Sequence, residues 1–416
     1  MPRSGWVKPQ SGQRVSDHIS VGVLTRVFPP ELVDMVVAEA GRRERRQRLL
    51  PARVVVYYVL ALALFADASY EEVMRQLVEG LAWESGWQRS WEVPSKVAIF
   101  LARKRLGREP LELLFRAAAR PLARESTRGA FYRQWRLMSL DGTCLDVADT
   151  PANEQEFGRP GSSRREGGGA FPQLRMVALS EVGTHAICDV AMGAYTTGEN
   201  ALADELLGGL RPGMLCLADR GFYSFARFQN ARQTGAQLLW RVSATLLLPR
   251  EQQLPDGSYL TRIYKNQPDQ RAHRDGVQVR VIEYQLDDGA RSDPEQRYRL
   301  LCTILDPDAA PAGELGGLYP ERWEIESALD ELKVHQRGPR VVLRSKQPDG
   351  VYQEAYGYLC THYAIRRLMH DAALSADIDP DRLSFTSGLH AAQRSVRTQP
   401  GFSPPKPRHS PAAGDR

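Results

Sequence analysis

A chain of 416 residues can bury a full hydrophobic core and is long enough for two or three structural units, which excludes a peptide-like or disulfide-stapled class. Its composition, 42% hydrophobic and 25% charged, is that of an ordinary soluble protein and selects no function. A net charge of +5 suits an anionic partner such as nucleic acid without demanding one.

In chain order, residues 1–27 form a polar leader that lacks the apolar core and small-residue cleavage site of a signal peptide. Residues 28–130 read as an all-α N-terminal domain, with Pro51, Pro94 and Pro110 placed where successive helices start. Its apolar run at 54–66 is too short to span a bilayer and fits a buried helix, so a cytosolic protein with no membrane partner is expected. The run GRRERRQR, starting at Gly41, fits either contact with DNA phosphates or a solvated helix face. A compact amphipathic helix follows between Pro94 and the stop signal Gly107. Arg103, Lys104 and Arg105 cluster in its last turn, as DNA contacts or as cations that offset the helix dipole. The five cysteines lie far apart with no CxxC pair, which argues against zinc and suits a reducing compartment.

From Trp135 the pattern changes to strands. Residues 136–147 alternate with a β period, and 174–182 and 184–192 form a plausible hairpin across Val182-Gly183. A helix at 200–210, a strand at 214–218, a helix at 225–233 and a strand at 237–242 follow. Three antiparallel strands and then alternating helix and strand is the element order of an RNase H-like α/β core, here assigned to residues 131–370. Residues 243–318 break that alternation with turns and short β-like runs and read as a β-rich insertion. Helical periodicity returns at 320–334 and 352–369; residues 371–416 form a C-terminal tail, expected to be disordered from about 398. The Gly/Arg-rich stretch 158–169 reads as a flexible connector that could approach DNA.

Three carboxylates stand out. Asp141 interrupts an apolar strand pattern, where an unpaired charge is costly to bury, although Asp141-Gly142 is also a hairpin-turn signal. Asp219 follows the apolar run 214–218, at the strand edge where open α/β sheets hold ligands; an ordinary turn is the other reading. Glu326 shares an arc of about 60° with Tyr319, Arg322 and Lys333 if the segment is one α-helix, with Ile325, Leu329 and Leu332 forming the stripe that seats it. Asp330, about 40° from Glu326 by the same geometry, is its local rival. Only seven of the 55 basic residues are lysine, so Lys333 at a fixed spacing is a rare match.

The spacing of Tyr319, Arg322, Glu326 and Lys333 resembles the YREK signature of IS4-family bacterial insertion-sequence transposases. Asp141-Gly142-Thr143 and Asp219-Arg220-Gly221-Phe222 resemble that family's regions around its first and second catalytic aspartates. The Arg103-Lys104-Arg105-Leu106-Gly107 ending is similar to its N-terminal domain, and the likeness spans residues 28–369. It implies a DDE transposase that cuts phosphodiesters at element ends and transfers the freed 3′-OH into target DNA. It also implies Asp141, Asp219 and Glu326 as ligands of two Mg²⁺ or Mn²⁺ ions. Arg322 and Lys333 would neutralise phosphate, and Tyr319 would position terminal nucleotides. The implied partners are double-stranded DNA, both terminal inverted repeats and target, engaged by a dimer at the bacterial nucleoid. An RNase H-like nuclease that cuts without joining, and an inactive DNA-binding descendant of a transposase, are the competing readings. One departure is visible: residues 243–318 contain no tryptophan to stack on a flipped base, so either one of Tyr259, Tyr264, Tyr284 and Tyr298 substitutes or the base stacks elsewhere.

Overall fold

The computed structural model describes residues 22–44, 50–84, 94–160, 171–284, 298–338 and 342–398. Most of the leader, the basic run from residue 45, the stretch 161–169 and the tail beyond 398 lie outside the described residues. The chain divides into two compact units, one of residues 1–118, 352–364 and 389–416, the other of residues 119–351 and 365–388.

The first unit is helical: α1 (Val23–Val27), α2 (Pro30–Glu39), α3 (Ala52–Leu64), α4 (Tyr70–Glu84), α5 (Lys96–Leu106) and α6 (Glu109–Ala118). In α3 every residue except Arg53 is buried, which is why its sequence is apolar on all sides. At the start of α5, Ser95 accepts a hydrogen bond from the Ala98 amide (3.3 Å); at its end, Gly107 takes a positive φ of 70°. Arg103, expected among the DNA contacts, is instead buried. Its Nε donates to Gln353 Oε1 at 3.0 Å, and Gln353 Nε2 donates to the Arg103 and Gly107 carbonyls at 2.8 Å each. Gln353, held by Arg103, therefore closes the C-terminal end of α5, while Lys104 and Arg105 of the same turn remain exposed. Among the described residues no helix is long and apolar enough to cross a membrane.

The second unit is built on one sheet of ten strands. In chain order these are β1 (Phe131–Tyr132), β2 (Trp135–Asp146), β3 (Gln173–Glu181), β4 (Ala186–Ala194), β5 (Met214–Ala218), β6 (Gln237–Val242), β7 (Gln252–Gln253), β8 (Tyr259–Ile263), β9 (Val277–Tyr284) and β10 (Tyr298–Cys302). They lie side by side as β4-β3-β2-β5-β6-β10-β9-β8-β7, with β1 paired to β2. The β2, β3 and β4 strands are antiparallel, whereas β5 runs parallel to both β2 and β6. This is the RNase H-like core predicted from the element order. The insertion does not form a separate sheet, because β10 pairs antiparallel with β6 and carries β9, β8 and β7 outward.

Both faces of the central strands are covered, so β5 and β6 read as near-continuous apolar runs. On one face Met138, Leu140, Cys216, Ala218, Leu238 and Trp240 pack with residues of α8 (Glu199–Leu206) and α9 (Phe225–Gln233). On the other, Leu137, Leu215, Leu217, Leu239 and Leu300 pack with Leu315 and Tyr319.

Three short helices, α7 (Pro151–Phe157), α10 (Gln267–Arg271) and α11 (Ala312–Leu318), fill connections. The segment predicted as one α-helix at 320–334 changes pitch twice. Tyr319–Trp323 is 3₁₀, α12 (Glu324–Asp330) is α-helical and Glu331–Gln336 is a π-helix. The uniform 3.6-residue arc drawn through Tyr319, Arg322, Glu326 and Lys333 therefore does not hold. Beyond it run α13 (Pro348–Ala376) and α14 (Phe385–Thr398), the second a helix that the sequence pattern did not reveal within the C-terminal tail.

Candidate active site

The alternative of a hairpin turn at Asp141 is excluded by the ladder: β2 continues to Asp146, with Asp141 opposite Ala178 and Gly142 opposite Val177. On the other side, Leu140 pairs with Ala218 as the last register pair of the parallel β2 and β5. Asp141 and Asp219 are each the next residue, so two carboxylates stand at the same end of adjacent central strands. By β alternation Asp141 shares a face with Leu137 and Ser139.

Glu326 comes from α12, which lies against that face. Two hydrogen bonds seat its leading turn. Ser139 Oγ donates to the Arg322 carbonyl (3.4 Å), and the buried Tyr319 hydroxyl donates to the Ala218 carbonyl (3.2 Å), directly ahead of Asp219. Burial of Ile325, Leu329 and Leu332 completes the docking, as their spacing predicted. The Glu326 side chain itself is 54% exposed and accepts from Arg322 Nη2 at 3.4 Å. Arg322 is otherwise buried, and its Nε has no hydrogen-bond partner.

The electrostatics follow from this placement. The Asp141 carboxyl is raised to about 6, first by burial and further by Glu326 and Glu199, against the hydrogen bond from the Gly142 amide (2.8 Å) and the charge of Arg322. Asp219 Oδ1 is buried without a hydrogen-bond partner, its nearest cation being Arg241 Nη1 at 3.7 Å. An orphaned carboxylate oxygen beside a set made only of oxygen donors fits a hard divalent cation. As they stand, the oxygens of Asp141, Asp219 and Glu326 are not within 4.8 Å of one another. Among the described residues, that criterion is met by His185, Glu324 and Asp381.

That second cluster anchors α12. His185 sits in the αL conformation (φ 53°) at the end of the β3–β4 turn and is buried. Its Nε2 faces Glu324 Oε2 at 2.8 Å and Asp381 Oδ1 at 3.2 Å, and its Nδ1 faces Glu331 Oε1 at 3.1 Å. Arg366 Nε donates to the other oxygen of Glu331 at 2.7 Å. Burial alone would lower the imidazole pKa, but the hydrogen bonds to Glu324 and Glu331 outweigh it and Arg366, so the ring is held toward its charged form. An imidazolium and a guanidinium thus face three carboxylates and supply the cluster with cationic partners of its own. Glu324 and Glu331 lie on either side of Glu326 in the chain, so this cluster fixes the segment that presents it.

The other expected residues separate by burial. Tyr319 is enclosed and packs at a tilt against Tyr284 (6.1 Å between centroids), which in turn meets Tyr298 (5.4 Å). Lys333 is half-buried on the π-helix. Of the tyrosines considered for stacking, Tyr259 is buried and hydrogen-bonded to Glu283 (3.3 Å), so it presents no free face. The large aromatic exposed beside the site is Trp323, 48% accessible, which follows Arg322 in the chain. Sequence reasoning missed Trp323, His185 and Glu199.

The family described as the insertion element 4 transposase N-terminal domain matches residues 18–116, and the transposase DDE domain matches residues 135–363. The chain is 29% identical over 378 residues to the transposase InsG for insertion sequence element IS4 of Escherichia coli (strain K12), covering 90% of this chain and 83% of that protein. It is 25% identical over 236 residues to the putative transposase InsZ of the same organism, covering 57% and 73% of the two chains. A piggyBac transposase synaptic complex with hairpin DNA aligns at a TM-score of 0.46 and 10% identity, over 90% of this chain and 79% of that one. With the DDE domain matched over more than half its length, the chain belongs to the IS4-type DDE transposases.

Proposed function

We propose that this DDE transposase acts on DNA through Asp141, Asp219 and Glu326, which hold two Mg²⁺ or Mn²⁺ ions. The observation that carries this reading is the register of β2 and β5. It sets Asp141 and Asp219 side by side, with the hydrogen bonds from Ser139 and Tyr319 tying the Glu326 segment to the same two strands. When bound, the ions supply Lewis acidity for the attacking and leaving oxygens of an in-line displacement.

The protein's own groups do the rest. Arg322, held by Glu326 and carrying an unpartnered Nε, offers a fixed positive charge to a non-bridging phosphate oxygen. Lys333 adds a second cation, and the exposed ring of Trp323 offers a face on which an unstacked base can lie. Tyr319, buried and bonded to the strand, acts by holding the Ala218–Asp219 backbone rather than by touching a nucleotide.

In the first reaction water attacks phosphorus at the element end, the P–O3′ bond breaks and a 3′-OH is released. In the second, that 3′-oxygen attacks a target phosphodiester, one P–O3′ bond forms and another breaks, so no energy source is consumed. Residues 28–130 serve as the DNA-binding domain. The exposed Lys104 and Arg105, and the cavity of about 550 Å³ lined by Arg42, Arg43 and Arg105, give it cations for phosphate. Residues 131–370 are the catalytic domain, interrupted at 243–318, and a dimer brings two terminal inverted repeats together.

Purified protein, Mn²⁺, the inverted repeats that flank its gene and a supercoiled target plasmid test the reading. Joined products with a covalent 3′ junction are expected. Nicked ends that never join would support a nuclease that only cuts, and no cleavage at all would support an inactive DNA-binding protein.

A further inference from the structure

Gly142 sits inside a paired strand, one residue past Asp141, with its Cβ direction on the face opposite the Asp141 side chain. A Cβ added there would lie 1.7 Å from Glu199 Oε1 and 2.7 Å from Glu199 Cδ, so the Glu199 carboxylate occupies the volume a side chain would need. Glycine in a strand interior weakens it and marks a close approach. Here the approaching group is a carboxylate, and it lies against the residue beside the first proposed ligand.

Glu199 opens α8, and the guanidinium bonded to the next residues of that helix is committed elsewhere. Arg227, buried, is engaged by Asp204 (2.6 and 3.1 Å), Asn200 (2.9 Å to both its side-chain and main-chain oxygens) and the Phe222 carbonyl (2.8 Å). Among the described residues the Glu199 carboxylate has no ion pair and no hydrogen-bond partner. An acidic residue in a first helical turn also favours the helix dipole, but that role needs neither the glycine opposite nor the position beside Asp141.

We propose that Glu199 is a fourth carboxylate of the active site, which reaches past Gly142 and acts through water on the divalent cation held by Asp141. The charge balance favours it. Two divalent ions carry four positive charges, and the three proposed ligands supply three negative ones, one of them already shared with Arg322. Groups that orient and tune a metal site from outside the direct ligand set are worth about 10–100-fold in metal affinity.

This inference rests on the assignment of Asp141, Asp219 and Glu326 as ligands, so its test includes a variant of that set. Free Mn²⁺ is titrated by electron paramagnetic resonance against the full-length protein without DNA, for the wild type, Asp141→Asn, Glu199→Gln, Gly142→Ala and the Gly142→Ala/Glu199→Gln double variant. Asp141→Asn should lose the tightest site. Glu199→Gln should weaken Mn²⁺ binding by roughly tenfold. Gly142→Ala should weaken it in the same direction, because the new methyl group displaces the carboxylate. The double variant should bind no more weakly than Glu199→Gln alone, since both changes remove one interaction. Thermal melts of Glu199→Gln should match the wild type, which separates the proposal from a helix-capping role. Mn²⁺ affinity of Glu199→Gln within twofold of the wild type, with Asp141→Asn impaired, would overturn the proposal and leave the three ligands in place. Unaltered binding by Asp141→Asn would overturn both.

Discussion

His185→Asn tests whether the buried cluster behind Glu326 holds the catalytic segment. Asparagine tolerates the αL backbone of that position, so the substitution removes the imidazole without straining the turn. Glu324, Glu331 and Asp381 are then left with Arg366 as their remaining cation in the cluster. Removing one partner of a buried ion pair costs about 3–5 kcal/mol. The Glu324 and Asp381 side chains are 32% and 30% exposed and recover solvation, so the low end, about 3 kcal/mol, applies. For a folding unit of this size that lowers Tm by roughly 6–12 °C.

The pH dependence carries a sign. The folded-state imidazole pKa is raised, so its stabilisation is fully present below about 6.5 and is lost as pH rises through the raised value. Circular-dichroism melts should therefore show a gap between wild type and variant that is largest near pH 6 and shrinks toward pH 9. A gap under about 2 °C at pH 6, or one that widens with pH, would show that the His185 cluster does not hold this segment.

Further outcomes follow from the same placements. Arg103→Ala should destabilise the helical unit by about 3 kcal/mol through its broken buried contacts and leave the salt dependence of DNA binding unchanged. Lys104→Ala should do the reverse, lowering the slope of log K against log salt by about one with little change in stability. Tyr319→Phe should cost about 1 kcal/mol in stability and reduce kcat more than DNA affinity, because the lost hydroxyl positions Asp219; an affinity loss alone would return Tyr319 to the DNA interface. Chelation of divalent ions should abolish cleavage in a gel assay while a shift assay still shows bound DNA.

Local pattern made much of this fold legible. The strand Met214–Ala218, the helix Phe225–Gln233 and the strand Gln237–Val242 fall where their runs and periods predicted, because each is decided by burial of its own residues. The pitch changes between Tyr319 and Gln336 were not legible. They accommodate partners far away in the chain, such as His185, 146 residues from Glu331. For the same reason Arg103 looked like a DNA contact: the glutamine that it closes upon is 250 residues away. That β10 would add to β6, so that the insertion prolongs the core sheet, depends on pairing across some 60 residues and left no local signature. Gly142 did leave one. A glycine inside an otherwise regular strand marks a close approach, and reading it that way would have led to a search for Glu199.

In the proposed site Asp141, Asp219 and Glu326 act together on DNA, and Asp330 takes no part. The most direct test is metal-dependent cleavage of terminal-repeat DNA by Asp141→Asn, Asp219→Asn, Glu326→Gln and Asp330→Asn, each at matched DNA occupancy. The first three should bind DNA and fail to cut it, while Asp330→Asn cuts at nearly the wild-type rate. Cleavage that survives in any of the first three, or that is lost in Asp330→Asn alone, would contradict the assignment.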